Sequence, residues 1–289
     1  MNTYTYEQAV LMMRSDADRS NEVLWNYFDD NLFGAANRFA NSEEFKSVYK
    51  LLELKADTNN ISVADIGCGN GIASYAFALK GCDVWATDPD VSDIVGLGAV
   101  AKLAALFPEN RIKTVNTSVE NMPFESNSMD IVYARQCLHH FKNLKTGLQE
   151  CARILKPGGI FIACREHVIT NNEQLELFLN NHHFHQLHGC ENAYRSDEYL
   201  SSLHNAGLAI THHLLPYDSV INYYPITTDE LRKSAYDKLS YRFGSQIGKF
   251  LVSYEAVFRY YLKRLSRYDN SPGRLNSFIA KKLAVKYSS

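Results

Sequence analysis

Two stretches of the chain bring chemistry-bearing residue types close together. Residues 182–199 read HHFHQLHGCENAYRSDEY, with His182, His183, His185 and His188 inside seven residues and Cys190 and Glu191 just behind them. Side chains of these types serve as metal ligands, as proton carriers or as the polar wall of a substrate pocket. Residues 63–71 read VADIGCGNG, with glycines at 67, 69 and 71 and Asp65 two places before the first. Glycines in a loop after an apolar strand let the backbone come close to a ligand beside the N-terminus of the next helix.

The histidine stretch lacks the spacing of a structural metal site. No later HxxxH or CxxC completes a four-ligand set, so no metal is expected. Leu175, Phe178, Leu179, His182 and Gln186 continue one face of a helix predicted over about 172–187. His182 then faces the core or a cleft, and His183 points elsewhere. Past the helix, His188, Glu191, Asn192 and Tyr194 make a polar loop. There the reading places substrate recognition, with His188 or Glu191 as a base. In the glycine loop, a dinucleotide-binding G-x-G-x-x-G counted from Gly67 would need a glycine at 72, where Ile72 stands.

The elements needed to position these groups are legible from periodicity. Strand-like runs at 61–67, 83–88, 111–118, 129–135 and 159–166 alternate with helical patterns at 71–80, 92–106 and 143–155. A further helix after Ser196, a plausible cap, ends near Gly207, and strands follow at 208–215 and 275–282. The expected fold is α/β: a Rossmann-like, doubly wound, seven-stranded, mostly parallel sheet. A helical cap occupies 1–60, the core 61–226, a helical insertion 227–268, and the final strand 274–283. The cap and the insertion are both expected to cover part of the pocket. In the insertion, Ile247, Phe250, Leu251, Tyr254, Phe258, Tyr261 and Leu265 read as one apolar stripe packing on the protein itself, with a homodimer as the alternative.

Composition bounds the partners. The 289 residues suffice for one large domain or two small ones, and 46% hydrophobic with 21% charged residues is ordinary for a soluble protein. The first ten residues show no secretory pattern, no run approaches a membrane span, and six scattered cysteines look like reduced thiols, so a cytoplasmic protein is expected. From Thr227 to Ser289 there are 13 Lys and Arg against 5 Asp and Glu, and in the remainder 17 against 27. The basic quarter leaves peripheral contact with an anionic surface open, although a solvated helix face accounts for it more simply. The acidic remainder, without aromatic-interleaved basic motifs, weighs against nucleic acid.

D-x-G-x-G-x-G after a strand resembles the class I S-adenosylmethionine-dependent methyltransferases, and the resemblance extends in order over residues 61–166. It implies that Asp65, Gly67 and Gly69 surround the methionine part of S-adenosylmethionine, Asp65 pairing with its amino group. Asp88, ending the second strand in VWATDPD, would accept the ribose hydroxyls, and a carboxylate suits a vicinal diol because it can take two donors. Ser118 stands where the family's commonest pattern has an acid, and with Val119 it would meet the adenine. Cys68, Gly71, Pro89, Glu120 and Arg135 complete the implied cofactor set. Transfer from a sulfonium requires alignment and exclusion of water, with a base where the acceptor is an oxygen or a protonated nitrogen. The loops after strands four and five offer His139, Glu166, His167, His188 and Glu191 for catalysis, and Gln136, His140, Asn192 and Tyr194 for the acceptor. Some bacterial members carry a similar REH after strand five, a His-rich stretch into GENAY and a late G-R-x-x-S-F strand, here 165–167, 189–194 and 273–278. A small-molecule, glycan or lipid-linked acceptor is expected. The alternatives are a non-catalytic scaffold of the same fold or an NAD-dependent oxidoreductase.

Overall fold

The computed structural model describes residues 4–54, 60–108 and 111–283. The two ends of the expected cap, 1–3 and 55–59, lie outside the described residues. Within the cap stand α1 (Tyr6–Ser15), α2 (Ser20–Trp25), α3 (Leu32–Ala40) and α4 (Glu43–Leu51). α1 begins at a capping box: the Thr5 hydroxyl accepts from the Gln8 backbone N–H, and the Gln8 side chain accepts from the Thr5 N–H.

Alternation then sets in with β1 (Ser62–Ile66), α5 (Ile72–Leu79), β2 (Asp83–Asp88), α6 (Leu97–Ala104), β3 (Ile112–Asn116), β4 (Met129–Arg135), α7 (Leu144–Ile154) and β5 (Leu155–Ile169). After these come α8 (Asn172–Asn181), α9 (His183–His188), β6 (Tyr194–Arg195), α10 (Ser196–Asn205), β7 (Leu208–Leu214) and α11 (Val220–Tyr223). The chain closes with α12 (Thr228–Phe243), α13 (Ser245–Ser253), α14 (Glu255–Tyr268) and β8 (Arg274–Lys282).

The sheet runs β3-β2-β1-β4-β5-β8-β7, with β8 antiparallel to both its neighbours and the other pairings parallel. Seven principal strands match the expected sheet, and the two-residue β6 adds an eighth by pairing with Val168 and Ile169. The order reverses between β1 and β4, which opens a crevice beyond their carboxyl ends, where ligands of such sheets bind. One core layer holds Phe45, Phe77, Val84, Ile162 and Cys164, and the other holds Leu148, Phe161, Ala163, Val168 and Phe278.

β5 carries the irregularity that matters most. Its pairing with β8 slips between Ala163 and Glu166, and Arg165 sits at φ 61°, left-handed for a residue with a Cβ. The Ser277 hydroxyl accepts from the Arg165 N–H, and the guanidinium donates to the Ile221 and Tyr224 carbonyls at 2.9 Å each. Before the bulge, Phe161 and Ala163 share one face; after it, Val168 lies on that same face despite its even number.

Several local expectations need correction. The helix expected over 172–187 breaks at His182, whose extended backbone separates α8 from α9. Ser196 is the first residue of α10 instead of its cap, and Glu198 accepts from the Arg195 N–H there. The insertion is three helices, interrupted at Gly244 and Tyr254, so its apolar residues do not form one stripe. Phe258 is buried against Leu231 and Ala235, but Ile247, Phe250 and Tyr254 are half exposed or more and lie outside that cluster, the Phe250 and Tyr254 rings 4.8 Å apart. No described helix is long and apolar enough to cross a membrane, and all six cysteines are free.

Candidate active site

A cavity of about 680 Å³ opens over the carboxyl ends of β1, β2 and β4, a size that buries a drug-sized ligand. One wall is made by the turns after β1, β2 and β3. Gly67 and Gly69 line it at φ 59° and 53°. A Cβ on Gly67 would stand 2.2 Å from Cys137 Sγ, whereas one on Gly69 would meet only the Val95 carbonyl at 3.7 Å. Asp88 fixes this loop: one carboxylate oxygen accepts from the Gly69 N–H at 2.9 Å and the other from the Asp90 N–H at 2.8 Å. Each oxygen keeps a lone pair for a ligand hydroxyl.

Asp65 is 1% exposed and takes one side-chain hydrogen bond, from the Ser74 hydroxyl at 2.6 Å. Burial, aided by the nearby Asp88 and opposed by that hydrogen bond, pushes its carboxyl up to about 7. A buried carboxylate on a cavity wall without a cationic partner fits a ligand that brings the cation itself. These features suit S-adenosylmethionine: bare backbone at the loop, a two-oxygen acceptor for a diol, and an uncompensated carboxylate for an ammonium.

The facing wall comes from the turn after β4, the end of β5 and the loop after α9. Glu166, fully buried, accepts from the Cys137 N–H (3.1 Å), the His139 N–H (3.3 Å) and His139 Nδ1 (2.8 Å). His139 Nε2 faces the Glu191 carboxylate at 3.5 Å. Burial presses His139 down, yet the hydrogen bonds to Glu166 and Glu191 outweigh it and lift the ring to about 9. Glu191, although burial raises it, is held well below the usual carboxylate range by His139 and the neighbouring His140. His167 donates from Nδ1 to the Gly273 carbonyl at 3.0 Å and is held well below the usual range by burial and by the His139 charge. His140 donates from Nδ1 to the Cys190 carbonyl at 3.1 Å, leaving Nε2 3.6 Å from Glu191.

The N-terminal helices close the cavity. Thr5, Tyr6, Glu22, Asn26 and Phe28 line it, and the Tyr6 ring lies within 6.0 Å of the rings of Phe28, Phe184 and His188. The Tyr4 N–H donates to the Leu187 carbonyl at 3.1 Å, His188 Nδ1 donates to the Tyr4 carbonyl at 2.7 Å, and the Ile94 N–H donates to Glu7 at 3.0 Å. The cap thus covers the pocket as expected, although the sequence singles out none of these residues; Thr5 and Gln8 carry only a helix-start signal. The insertion contributes no lining residue, so the expectation that it covers the pocket is corrected.

Most of the expected site residues meet in this cavity. Asp65, Gly67, Cys68, Gly69, Asp88, Pro89, Ser118, Val119, Glu120, Arg135, Gln136, His139, His140, His167, His188 and Glu191 all line it. Gly71 does not: its φ of 81° starts α5, and a Cβ there would press on Val100 of α6 at 2.9 Å. Arg135 reaches the wall, but its guanidinium is committed to the buried Glu44 at 2.7 Å and 3.2 Å. Glu166 lies behind the wall and positions His139. Asn192 and Tyr194 lie off the cavity, Tyr194 in β6 with its ring 5.5 Å from Tyr199. Of the histidine stretch, His182 and His188 reach the cavity, while His183 turns out to Glu22 at 3.0 Å.

The sheet order and this site define a Rossmann-like methyltransferase fold. Comparison with known proteins agrees: residues 64–163 match the family described as "Methyltransferase domain". A sterol 4-C-methyltransferase of Caenorhabditis elegans is 29% identical over 180 residues, covering 59% of this chain and 51% of that protein. A ubiquinone biosynthesis O-methyltransferase of Bradyrhizobium is 35% identical over 105 residues, covering 36% of this chain and 39% of that one. The methyltransferase YcgJ of Bacillus subtilis is 28% identical over 149 residues, 49% of this chain and 53% of YcgJ. The crystal structure of YcgJ superposes with a TM-score of 0.53 over 83% of this chain and 98% of that one, at 18% identity, and shows the shared fold. The chain spans about half the length of the first of these curated relatives. Residues 64–163 thus belong to the methyltransferase-domain family, of the class I type whose cofactor is S-adenosylmethionine.

Proposed function

We propose that the protein transfers a methyl group from S-adenosylmethionine to a hydroxyl of a small acceptor, a sugar or a hydroxylated metabolite. One observation carries the reading: the Gly67–Asp88 wall and the histidine–glutamate wall face each other across a single cavity beneath a roof of N-terminal helices. S-adenosylmethionine, when bound, supplies an already activated methyl on sulfur, which suits in-line displacement. Asp65 would hold its amino group, Asp88 its ribose hydroxyls, and Ser118 and Val119 would flank its adenine.

The rest falls to the facing wall. The acceptor oxygen lies against His139, His167 and Glu191, with the roof excluding water. Its lone pair forms the new O–C bond as the S–C bond breaks, with that electron pair staying on sulfur. Its proton leaves by way of His140, whose Nδ1–H is tied to the Cys190 carbonyl and whose Nε2 faces the cluster from the half-exposed edge. Hydroxyl acceptors are favoured over carbon because the wall is built of proton carriers. The 680 Å³ favours a compact acceptor over a polymer.

The test is calorimetric binding of S-adenosylmethionine, followed by a methyl-donor screen over sugars, hydroxylated metabolites and lipid-linked glycans. Saturable binding, and turnover that is lost in His139→Ala, would support the reading. Nicotinamide-cofactor binding without S-adenosylmethionine binding would replace it with an oxidoreductase.

A further inference from the structure

Three lone-pair donors converge on the acceptor wall from three separate parts of the chain. His139 follows β4, His167 stands near the end of β5, and Glu191 follows α9; one ligand atom of each lies within 4.8 Å of the other two. From this geometry we infer that His139, His167 and Glu191 form a binding site for a single divalent first-row transition-metal ion, facing the acceptor. The inference rests on the reading of this wall as the acceptor side.

The surroundings of the three donors are what a metal site requires. A metal-ligating imidazole is oriented by a hydrogen bond from its other nitrogen to a carboxylate or carbonyl, which leaves the ligating nitrogen with its lone pair forward. Both rings are held this way. His139 Nδ1 donates to Glu166 at 2.8 Å and His167 Nδ1 donates to the Gly273 carbonyl at 3.0 Å, so His167 Nε2 is left for the cavity, while His139 Nε2, which faces Glu191 at 3.5 Å, gives up its proton when a metal ion comes between them. Gly273 is left-handed at φ 73°, and a Cβ there would strike the Phe178 ring at 2.1 Å, so this carbonyl is placed by a residue that only glycine can fill.

Charge points the same way. Two carboxylates, Glu166 and Glu191, bracket His139 with side chains 0% and 7% exposed, two negative charges that the single His139 charge balances only in part and that a divalent cation would balance in its place. His182 adds a fourth donor. It lines the same cavity, its ring centroid is 5.5 Å from that of His167, and its buried Nδ1 has no partner.

Two imidazoles and one carboxylate with open positions suit Fe²⁺, Mn²⁺, Co²⁺ or Zn²⁺ over the oxygen-seeking Mg²⁺ and Ca²⁺. An open position facing the cavity would take the acceptor's oxygen and polarise it.

Co²⁺ is the probe, because its visible spectrum reports nitrogen ligation without any turnover. Metal-stripped full-length protein is titrated with Co²⁺, followed by absorption, with metal content after dialysis as a second measure. One equivalent should bind, and affinity should fall at least about tenfold in each of Glu191→Gln and His167→Asn. His188→Ala, on the same cavity but outside the triad, should keep wild-type affinity. S-adenosylmethionine binding by each variant confirms that it is folded. No Co²⁺ binding by wild type at micromolar concentration overturns the inference. So does binding that survives unchanged in both triad variants, since the ion then sits elsewhere. Failure of wild type to bind S-adenosylmethionine would instead strike at the methyltransferase reading.

Discussion

The two walls of the cavity are built on opposite plans. The wall that would hold S-adenosylmethionine is local and electrostatically incomplete: Asp65 is buried with a single side-chain hydrogen bond, from Ser74, and waits for a cation. The facing wall is assembled from distant segments on a support that is closed on itself, with the Glu166 carboxylate accepting three hydrogen bonds from the β4 turn. Asp65 gains its missing charge from a ligand, whereas Glu166 spends its hydrogen bonds on holding side chains still. Removing a carboxylate should therefore have opposite consequences on the two sides.

The largest effect is expected at Glu166. Glu166→Ala leaves two buried N–H groups and an imidazole without their acceptor, and should destabilise the fold by about 3–5 kcal/mol in chemical denaturation. Stability unchanged within 1 kcal/mol, by the same measurement, would break the contrast. Next comes Asp88→Ala, which takes away the loop's anchor on Gly69 and the proposed ribose acceptor together. S-adenosylmethionine affinity should drop roughly a hundredfold, about 2.8 kcal/mol, in calorimetry.

Asp65 sharpens the comparison through pH. Its folded-state pKa is raised from the ordinary 3.8 to about 7, so the folded chain holds a proton that the unfolded chain releases, and stability falls as pH rises across that window. Asp65→Asn should stabilise the ligand-free protein at pH 8 by about 1–3 kcal/mol while weakening S-adenosylmethionine binding. In wild type, affinity should decline about tenfold per pH unit below 7, because a protonated carboxyl cannot pair with an ammonium, and Asp65→Asn should flatten that slope. Tyr6→Ala, which thins the roof, should speed amide exchange in α1 and cost about 1–2 kcal/mol of local stability. Smallest of all, Phe250→Ser in the insertion should leave S-adenosylmethionine affinity unchanged and alter stability by no more than about 0.5 kcal/mol.

The same contrast governs what the sequence could disclose. The cofactor wall is read off contiguous letters, because a strand, a glycine turn and an acid at the next strand's end are local features. Gly71 looks the same in the sequence as Gly67 and Gly69, yet it answers to Val100 of α6 and not to the cavity. The acceptor wall was legible only in part. His139, His140, His167, His188 and Glu191 were found as polar residues after buried strands, but their convergence depends on tertiary placement that no spacing shows. A search for closely spaced ligand pairs within one segment misses a triad whose members stand at 139, 167 and 191. Asn192 and Tyr194 were drawn in by proximity to Glu191, but the chain turns there into β6 and carries them away. The N-terminal cap was legible as a cover, but not which of its residues meet the cavity, because Thr5, Tyr6, Glu22, Asn26 and Phe28 are ordinary residues of helices and the turns beside them. The place of the insertion was not legible, because an amphipathic pattern says which residues share a helix face and not where that helix lies.

The bulge at Arg165 bears on how this chain could be edited. A strand tolerates an added residue when the backbone folds the extra one aside and the alternation resumes in phase. β5 has done so. Arg165 is the supernumerary residue, set aside to clasp the Ile221 and Tyr224 carbonyls, and Glu166 and His167 lie on the faces that a strand without it would give them. Deleting Arg165 should therefore leave the facing of both residues intact and cut the ties to the Ile221 and Tyr224 carbonyls and to the Ser277 hydroxyl. Straightening the strand with the residue retained would exchange the two, taking the positioning carboxylate off His139 and the imidazole away from the cavity. At this point the length of the chain is more forgiving than its local conformation.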